Sequence, residues 1–369
     1  MEQDSEGFLY PVADDKNCTG CAKCEKSCPA IISNISREPL NVFAAKNPNE
    51  EIRHQSSSGG VFSLLSECII QKGGVVFGAR FNNTWEVIHD YTETMDGLVA
   101  FRGSKYVQSA TRNTYKQTRE FLESGRKVLY SGTPCQIAGL KAFLQKDYID
   151  LLTVDFVCHG VPSPLVWKKY LNEIICNKFY KLQDISNIEF RNKKYGWGRG
   201  IYHFVITFSD KKTFSSVTGT NSYLMGFSRD LYLRHSCHNC LVKSFKSGSD
   251  ITIADYWGIG NILPEFDDKK GVSLVMVNSE QGKEVYEILN KNDQETTYLQ
   301  ALAHNPMIEK SAGLHKKRVL FFKNLHNETV ISLIDRLILD SCHLKMKRMI
   351  SVLLWKSGLF FIFRSLIRR

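Results

Sequence analysis

A chain of 369 residues, 43% hydrophobic and 23% charged, can hold two domains or one large domain with appendages, in an ordinary soluble composition. Of its formal charge of +10, residues 341–369 carry seven basic residues and no acidic one (Lys345, Lys347, Arg348, Lys356, Arg364, Arg368, Arg369). The body therefore keeps only +3, which argues against a nucleic-acid-binding surface. Eleven cysteines behind an acidic opening without an apolar export run argue against a disulfide framework, and for metal binding or redox chemistry in the cytoplasm.

The cysteine-rich head is expected over residues 1–45. "KNCTGCAKCEKSCP" places Cys18, Cys21, Cys24 and Cys28 before Pro29, the spacing of a bacterial ferredoxin run. Thiolates are soft ligands, and two-residue gaps let three of them wrap one corner of an iron–sulfur cube. Structural zinc sites instead pair two separated CxxC units. In two-cluster ferredoxins the fourth cysteine serves the neighbouring cluster, yet the seventeen residues before Cys18 contain no cysteine. Either Cys28 serves its own run, or a cysteine from the core, a partner or upstream sequence completes the cube.

Next, "NPNEEIRHQSSSGG" (47–60) reads as a polar linker into a helix start. Val61, Phe62, Leu64, Leu65, Cys68 and Ile69 recur at helical spacing, and "GGVVFGARF" reads as a strand. "RKVLYSG", "TPCQIAGLKAFLQK", "LLTVDFVC" and "PLVWKKYLNEIIC" alternate strand and helix, which predicts a parallel or mixed sheet. "ISNIEFRN", "IYHFVITFS" and "KTFSSVTG" read as an antiparallel section. "DITIADYWGI" and "VSLVMVN" add two strands before a helix near 279–291. The tail from about 318 reads as helical. Its apolar stretch "MISVLLWKSGLFFIF", interrupted by Lys356, is short for a bilayer span; it lies at a membrane surface or packs as a final helix.

A second cysteine group is Cys135 in "YSGTPCQIAGL", Cys158 in "DFVCHGVPSP", and Cys237 with Cys240 in "RHSCHNC". Strand ends of an α/β sheet converge on one edge, where ligands bind. The four could form one site, or be two buried cysteines and a lone CxxC. Cys68, Cys176 and Cys342, on predicted helices, read as core residues. "SSSGG" (56–60), "SGTP" (131–134) and "RGSKYVQSA" (102–110) offer amides and hydroxyls to an anion, or simply cap helices. No GxGxxG follows a strand, which disfavours a nicotinamide fold. "NKKYGWGRG" and "DYWGIG" set aromatics beside glycines, suited to stacking on a flat ring or to plain packing.

In this order, "EGFLYP", the cysteine run, "SSGGVFSLL", "GSKYVQS", "SGTPCQIAGL", "DFVCHGVPSP", "CHNC" and "SDITIADYWGI" resemble the coenzyme F-420 hydrogenase/dehydrogenase beta-subunit family over roughly residues 6–290. The resemblance implies an α/β (α+β) fold, with a ferredoxin-like head on a mixed-sheet flavin-binding core and a helical basic tail. It divides the chain into 1–45, 46–125, 126–300 and 301–369. Members bind FAD and one or more 4Fe–4S clusters and pass electrons between a protein donor and a small-molecule acceptor. The resemblance implies a shared cluster on Cys135, Cys158, Cys237 and Cys240. It places Ser58, Gly59, Gly60, Gly103, Ser104, Lys105, Tyr106, Gln108, Gly132 and Thr133 near the flavin, Lys105 against its negative charge. "EGFLYPVADDKNC" resembles the segment joining two ferredoxin halves, so the head matches a second half alone. The expectation is an iron–sulfur flavoprotein oxidoreductase, taking electrons from a ferredoxin or partner subunit, with surface contact at the inner membrane face through 341–369. The alternatives are a non-catalytic electron-transfer or accessory subunit, and a zinc-stabilised binding protein.

Overall fold

The computed structural model describes residues 1–339 except 15, 29–30, 32–34 and 199, together with 346, 349–350 and 353–354. Cys342 and nearly all of the basic tail, with its expected membrane contact, lie outside the described residues. Among those described, no helix is long and apolar enough to cross a membrane.

The head opens with a short antiparallel ribbon, β1 (Glu2–Gln3) against β2 (Leu9–Tyr10), and holds one turn of helix, α1 (Lys23–Lys26). The body begins earlier than the expected boundary at 45. β3 (Asn41–Lys46) is a strand of the main sheet, with Val42, Ala44 and Ala45 buried. The expected linker is also a helix, α2 (Glu50–Gln55): Asn49 caps it by accepting from the amides of Glu51 and Ile52. A polar stretch looks like a linker when its buried partner is distant in sequence. Here Arg53 is buried against Asp268 and Gly271.

Then follow α3 (Val61–Gln71), β4 (Val75–Phe81), β5 (Val87–Thr92), α4 (Thr114–Glu123), β6 (Val128–Gly132), α5 (Pro134–Leu144), β7 (Leu151–Phe156) and α6 (Pro164–Cys176). β8 (Ile185–Asn192), β9 (His203–Phe208) and β10 (Thr213–Val217) form the expected antiparallel section as a separate three-stranded sheet. The chain continues through α7 (Ser222–Ser228), β11 (Ile251–Asp255), α8 (Ile259–Ile262), β12 (Ser273–Val277), α9 (Glu280–Glu287), β13 (Asn292–Thr296), α10 (Tyr298–His304), α11 (Arg318–Asn324) and α12 (Val330–Ile338).

The main sheet has eight strands in the order β13-β3-β12-β11-β7-β6-β4-β5. β4, β6, β7 and β11 run parallel at its centre, flanked by antiparallel strands. Central parallel strands are covered on both faces, so their sequences are near-continuous apolar runs. Alternate residues separate the two layers. Val76, Leu129, Leu152 and Val154 pack with Val61, Leu65 and Ile69 of α3. Phe77, Val128 and Tyr130 pack with Ile137, Leu140 and Leu144 of α5. Burying a single such Leu or Phe stabilises the fold by about 1.5–3 kcal/mol, so this two-sided layer holds the strand ends rigidly.

Candidate four-cysteine centre and its surroundings

The parallel strands deliver the expected residues to one edge. The register pairs Gly132 with Asp155 and Phe156 with Ile253, so β6, β7 and β11 end side by side. Thr133 follows β6 and caps α5, its amide donating to Gln136 Oε1 at 2.9 Å, with Pro134 at the first helical position. Cys135 therefore lies in the first turn of α5. Cys158 follows the end of β7; Cys237 lies within a short 3₁₀ turn, His235–Asn239, and Cys240 directly follows it.

The structure brings these four cysteines together. Each of the six pairs among their thiols is close enough for mutual electrostatic repulsion of the thiolates. Burial pushes the Cys158 thiol far up and that of Cys237 up to about 11. Cys135, the exposed member, is also raised, chiefly by the protein mass beneath it. Gly160 permits the approach: a Cβ there would meet Leu233 Cδ1 at 2.7 Å and stand 3.3 Å from Cys237 Cβ. Several donors surround the sulfurs. The Val161 amide donates to Cys237 Sγ at 3.5 Å, and Thr133 Oγ1 lies 3.1 Å from Cys135 Sγ. Lys243 Nζ donates to Cys158 O at 2.5 Å and Met307 O at 2.7 Å, and its charge favours the Cys158 thiolate. Ser311 Oγ accepts from the Cys240 amide at 3.0 Å. Among the described residues no three cysteine, histidine or carboxylate groups are drawn around a single-ion centre, which for zinc would need sulfurs about 3.8 Å apart. Four soft thiols beside cations and amide donors fit a thiolate-bound group.

The head cysteines have a different setting. Cys18, Cys21 and Cys24 are exposed and Cys28 is half-buried. Gly20 and Ala22 have φ of +67° and +53°, and the Lys23 amide hydrogen-bonds the Cys21 thiol, lowering its pKa. Both ends of the head are tied to the body. Arg318 donates to both Glu6 carboxylate oxygens and, through Nε at 3.1 Å, to Leu233 O; Ser163 Oγ donates to Glu6 O. Ser36 Oγ donates to Ser244 O at 3.1 Å. Of the remaining cysteines, Cys68 is half-buried against the α3 layer, as expected of a core residue. Cys176 is exposed, because it ends α6 one position beyond the last buried residue, Ile175.

Of the residues expected near a flavin, Thr133 lies against Cys135 and Gln108 is bonded to Arg234. Ser58 Oγ donates to Val272 O at 2.8 Å and the Gly59 amide to Ser273 Oγ at 3.0 Å. A Cβ on Gly59 would collide with Ala45 O at 2.4 Å, so only glycine fits there. Gly60, at φ +86°, starts α3. Ser104 bonds Ser57 through both its amide and hydroxyl, at 2.7 and 2.8 Å. Lys105 Nζ donates to the carbonyls of Phe101, Arg102 and Gly103, at 3.3, 2.9 and 3.2 Å, and burial lowers it to about 7. Its ammonium thus fixes its own loop. Gly103, with φ +79°, has open space where a Cβ would stand. Tyr106 O accepts from Tyr223 at 2.7 Å, and Gln108 accepts from Arg234 at 3.3 Å.

Cationic residues beside these segments escaped sequence reasoning. Lys193 Nζ donates to Arg53 O, Ser58 O and Lys270 O at 2.8, 2.6 and 3.1 Å. Arg191 pairs with Asp255 and with the Tyr202 hydroxyl, and its charge acts on Tyr106. Among the described residues its buried Nε–H has no partner, nor does the buried indole N–H of Trp197. Trp197 stacks on Trp257 at 5.1 Å, so the two glycine-flanked aromatics meet each other. The available signal was charge inside "FRNKKYGWG", where only the aromatics and glycines drew notice.

Residues 125–300 match the family model for the C terminus of the coenzyme F420 hydrogenase/dehydrogenase beta subunit. No curated protein matches the chain. Among solved structures, a chain of the F420-reducing [NiFe] hydrogenase complex from Methanosarcina barkeri is 16% identical, with a TM-score of 0.49 over 74% of this chain and 90% of that one. The residues that match the C-terminal part of this beta-subunit family contain the whole four-cysteine group.

Proposed function

We propose that the protein is an iron–sulfur flavoprotein oxidoreductase subunit, receiving electrons from a protein donor and passing them to a small-molecule acceptor. The observation that carries this is the meeting of Cys135, Cys158, Cys237 and Cys240 from three separate chain regions. Together these four cysteines would hold a 4Fe–4S group, and Cys18, Cys21, Cys24 and Cys28 belong to a second, exposed one. The 57–60 and 103–108 segments, with Gly132 and Thr133, would hold FAD. When bound, such groups supply one-electron transfer and hydride chemistry. The protein orients them: Val161 and Lys243 steady the tetrad loop, Lys193 and Ser273 fix the 58–59 turn, and buried aromatics keep water out. The two unpartnered donors, Arg191 Nε–H and Trp197 Nε1–H, suit an acceptor-rich ring or its phosphate. The match of residues 125–300 to a beta-subunit family supports a partner subunit as electron donor.

The test is anaerobic reconstitution followed by iron, acid-labile sulfide and flavin analysis. Bound flavin that bleaches with a two-electron donor, alongside iron and sulfide, is expected. Iron without flavin would instead support a non-catalytic electron-transfer subunit. Zinc without sulfide would overturn both in favour of a zinc-stabilised binding protein.

A further inference from the structure

Arg234 touches both the segment leading into the head and the four-cysteine centre. Its Nη2 donates to Leu9 O at 2.9 Å, and its guanidinium lies over the rings of Tyr10 and Phe8, at 4.1 and 5.6 Å. Phe8 is fully buried, so this strap is seated on the body. Nη1 donates to Gln108 Oε1 at 3.3 Å. On the other side, Arg234 opens the 3₁₀ turn that carries Cys237, three residues before that cysteine. Its backbone is fixed as well: its amide donates to Val161 O at 3.0 Å and its carbonyl accepts from the Cys237 amide at 2.9 Å.

We infer that Arg234 is a positioning residue that fastens the head's strap to the four-cysteine centre and, with the same cation, raises that centre's reduction potential. This rests on the reading of the tetrad as an iron–sulfur site. Each electron entering such a centre adds one negative charge without making or breaking a bond at Arg234. A fixed guanidinium nearby stabilises the reduced state more than the oxidised one. Lys243 also faces the centre, but through Cys158, so substituting Arg234 alone separates the two cations. Planarity matters on the strap side. Arg234 reaches Leu9 O and Gln108 Oε1 while lying on the Tyr10 ring, and the ammonium of a lysine cannot reproduce that fork.

The test compares wild type, Arg234→Gln and Arg234→Lys as full-length, reconstituted protein. Redox titration with a chemical reductant reads the potential, and limited trypsin digestion reads release of the strap at exposed Lys16. Arg234→Gln is expected to cut the equilibrium constant for reducing the tetrad centre about tenfold, a fall of about 59 mV for a one-electron couple. It is also expected to speed cleavage at Lys16. Arg234→Lys should keep the potential near wild type while still speeding cleavage. Faster cleavage in Arg234→Gln with an unmoved potential would reduce Arg234 to a structural tie and overturn the inference. Unchanged cleavage in both variants would overturn it equally. Should glutamine not fold, Arg234→Met, which keeps the packed stem, takes its place with the same expectations. Wild-type protein that holds no iron would sink the proposed function along with this inference. Iron-loaded protein whose potential ignores Arg234 would sink the inference alone.

Discussion

Arg191 and Asp255 form a two-point ion pair at the end of β11, with Nη1 to Oδ2 at 2.7 Å and Nη2 to Oδ1 at 2.9 Å. Their side chains are only 8% and 12% exposed. Removing one partner of a buried pair leaves the other uncompensated, which typically costs about 3–5 kcal/mol. Arg191→Met is therefore expected to destabilise the protein by about that amount in chemical denaturation. Arg191→Met/Asp255→Leu, which removes both charges, should recover part of the loss. If Arg191 also faces the flavin, the double variant will stay folded yet retain less flavin after desalting.

Lys193 makes a similar tie between distant segments. Its three carbonyl partners belong to residues 53, 58 and 270, so one ammonium pins the 58–59 turn to the loop before β12. Hydrogen bonds to a charged group contribute about 1.5–3 kcal/mol each, and not additively. Lys193→Met should lower stability by about 3 kcal/mol. It should also raise hydrogen exchange over residues 56–60 before it affects β6 or β7. Uniform loss of protection across the sheet would show that Lys193 acts on the whole body rather than on the turn.

The central strands, and the delivery of Cys135 and Cys158 to one sheet edge, were legible because their information is local; the joining of Cys237 and Cys240 to them was implied only by the family resemblance. Apolar runs ending in "SGTPC" and "DFVC" announce buried parallel strands, and strand ends converge by topology alone. The strand order was not legible. β3 inserts between β12 and β13 through pairings more than 200 residues apart, which no local pattern encodes. Arg53, Arg191, Lys193 and Arg234 were missed for a related reason. A basic residue in a polar stretch reads as solvated until the distant partner that buries it is known. Trp197 and Trp257 were expected either to stack on a flat ring or to pack plainly; they stack on one another, and the sequence carried no sign of which partner each would take.

The tetrad predicts a selective metal phenotype. Cys240→Ser should remove the iron and sulfide of the core centre while leaving those of the Cys18–Cys28 run in place. Cys176→Ser, at the exposed end of α6, should leave both contents unchanged. Metal and sulfide counts per chain on the two variants decide the matter. Equal losses in both, or no loss in Cys240→Ser, would separate Cys240 from any metal-binding role.

Acid stability offers a test independent of any cofactor. His89 is 3% exposed, with its Nε2 bonded to Ser131 O at 2.9 Å, and burial lowers its pKa to about 4 from an ordinary 6.5. His203, also buried, is lowered to about 4 by the same cause. A histidine held neutral contributes stability that is full above pH 6.5 and is lost as pH falls towards 4. A shift of this size is about 3 kcal/mol for His89. Asp155 acts in the opposite sense. Burial raises it from 3.8 to about 6, so its contribution is full below 3.8 and fades as pH rises through 6. Between pH 4 and 6 the lowered histidines, with His238 and His315 also lowered by burial, outweigh Asp155, and stability should climb with pH. His89→Gln keeps a donor for Ser131 O but cannot take up a proton, so it removes one of these contributions. Its denaturation free energy should climb less steeply from pH 4 to 6 than that of the wild type, whereas Asp155→Asn should steepen the climb. An unchanged slope in His89→Gln would mean that His89 is charged in the folded state and that Ser131 O, not burial, governs its titration.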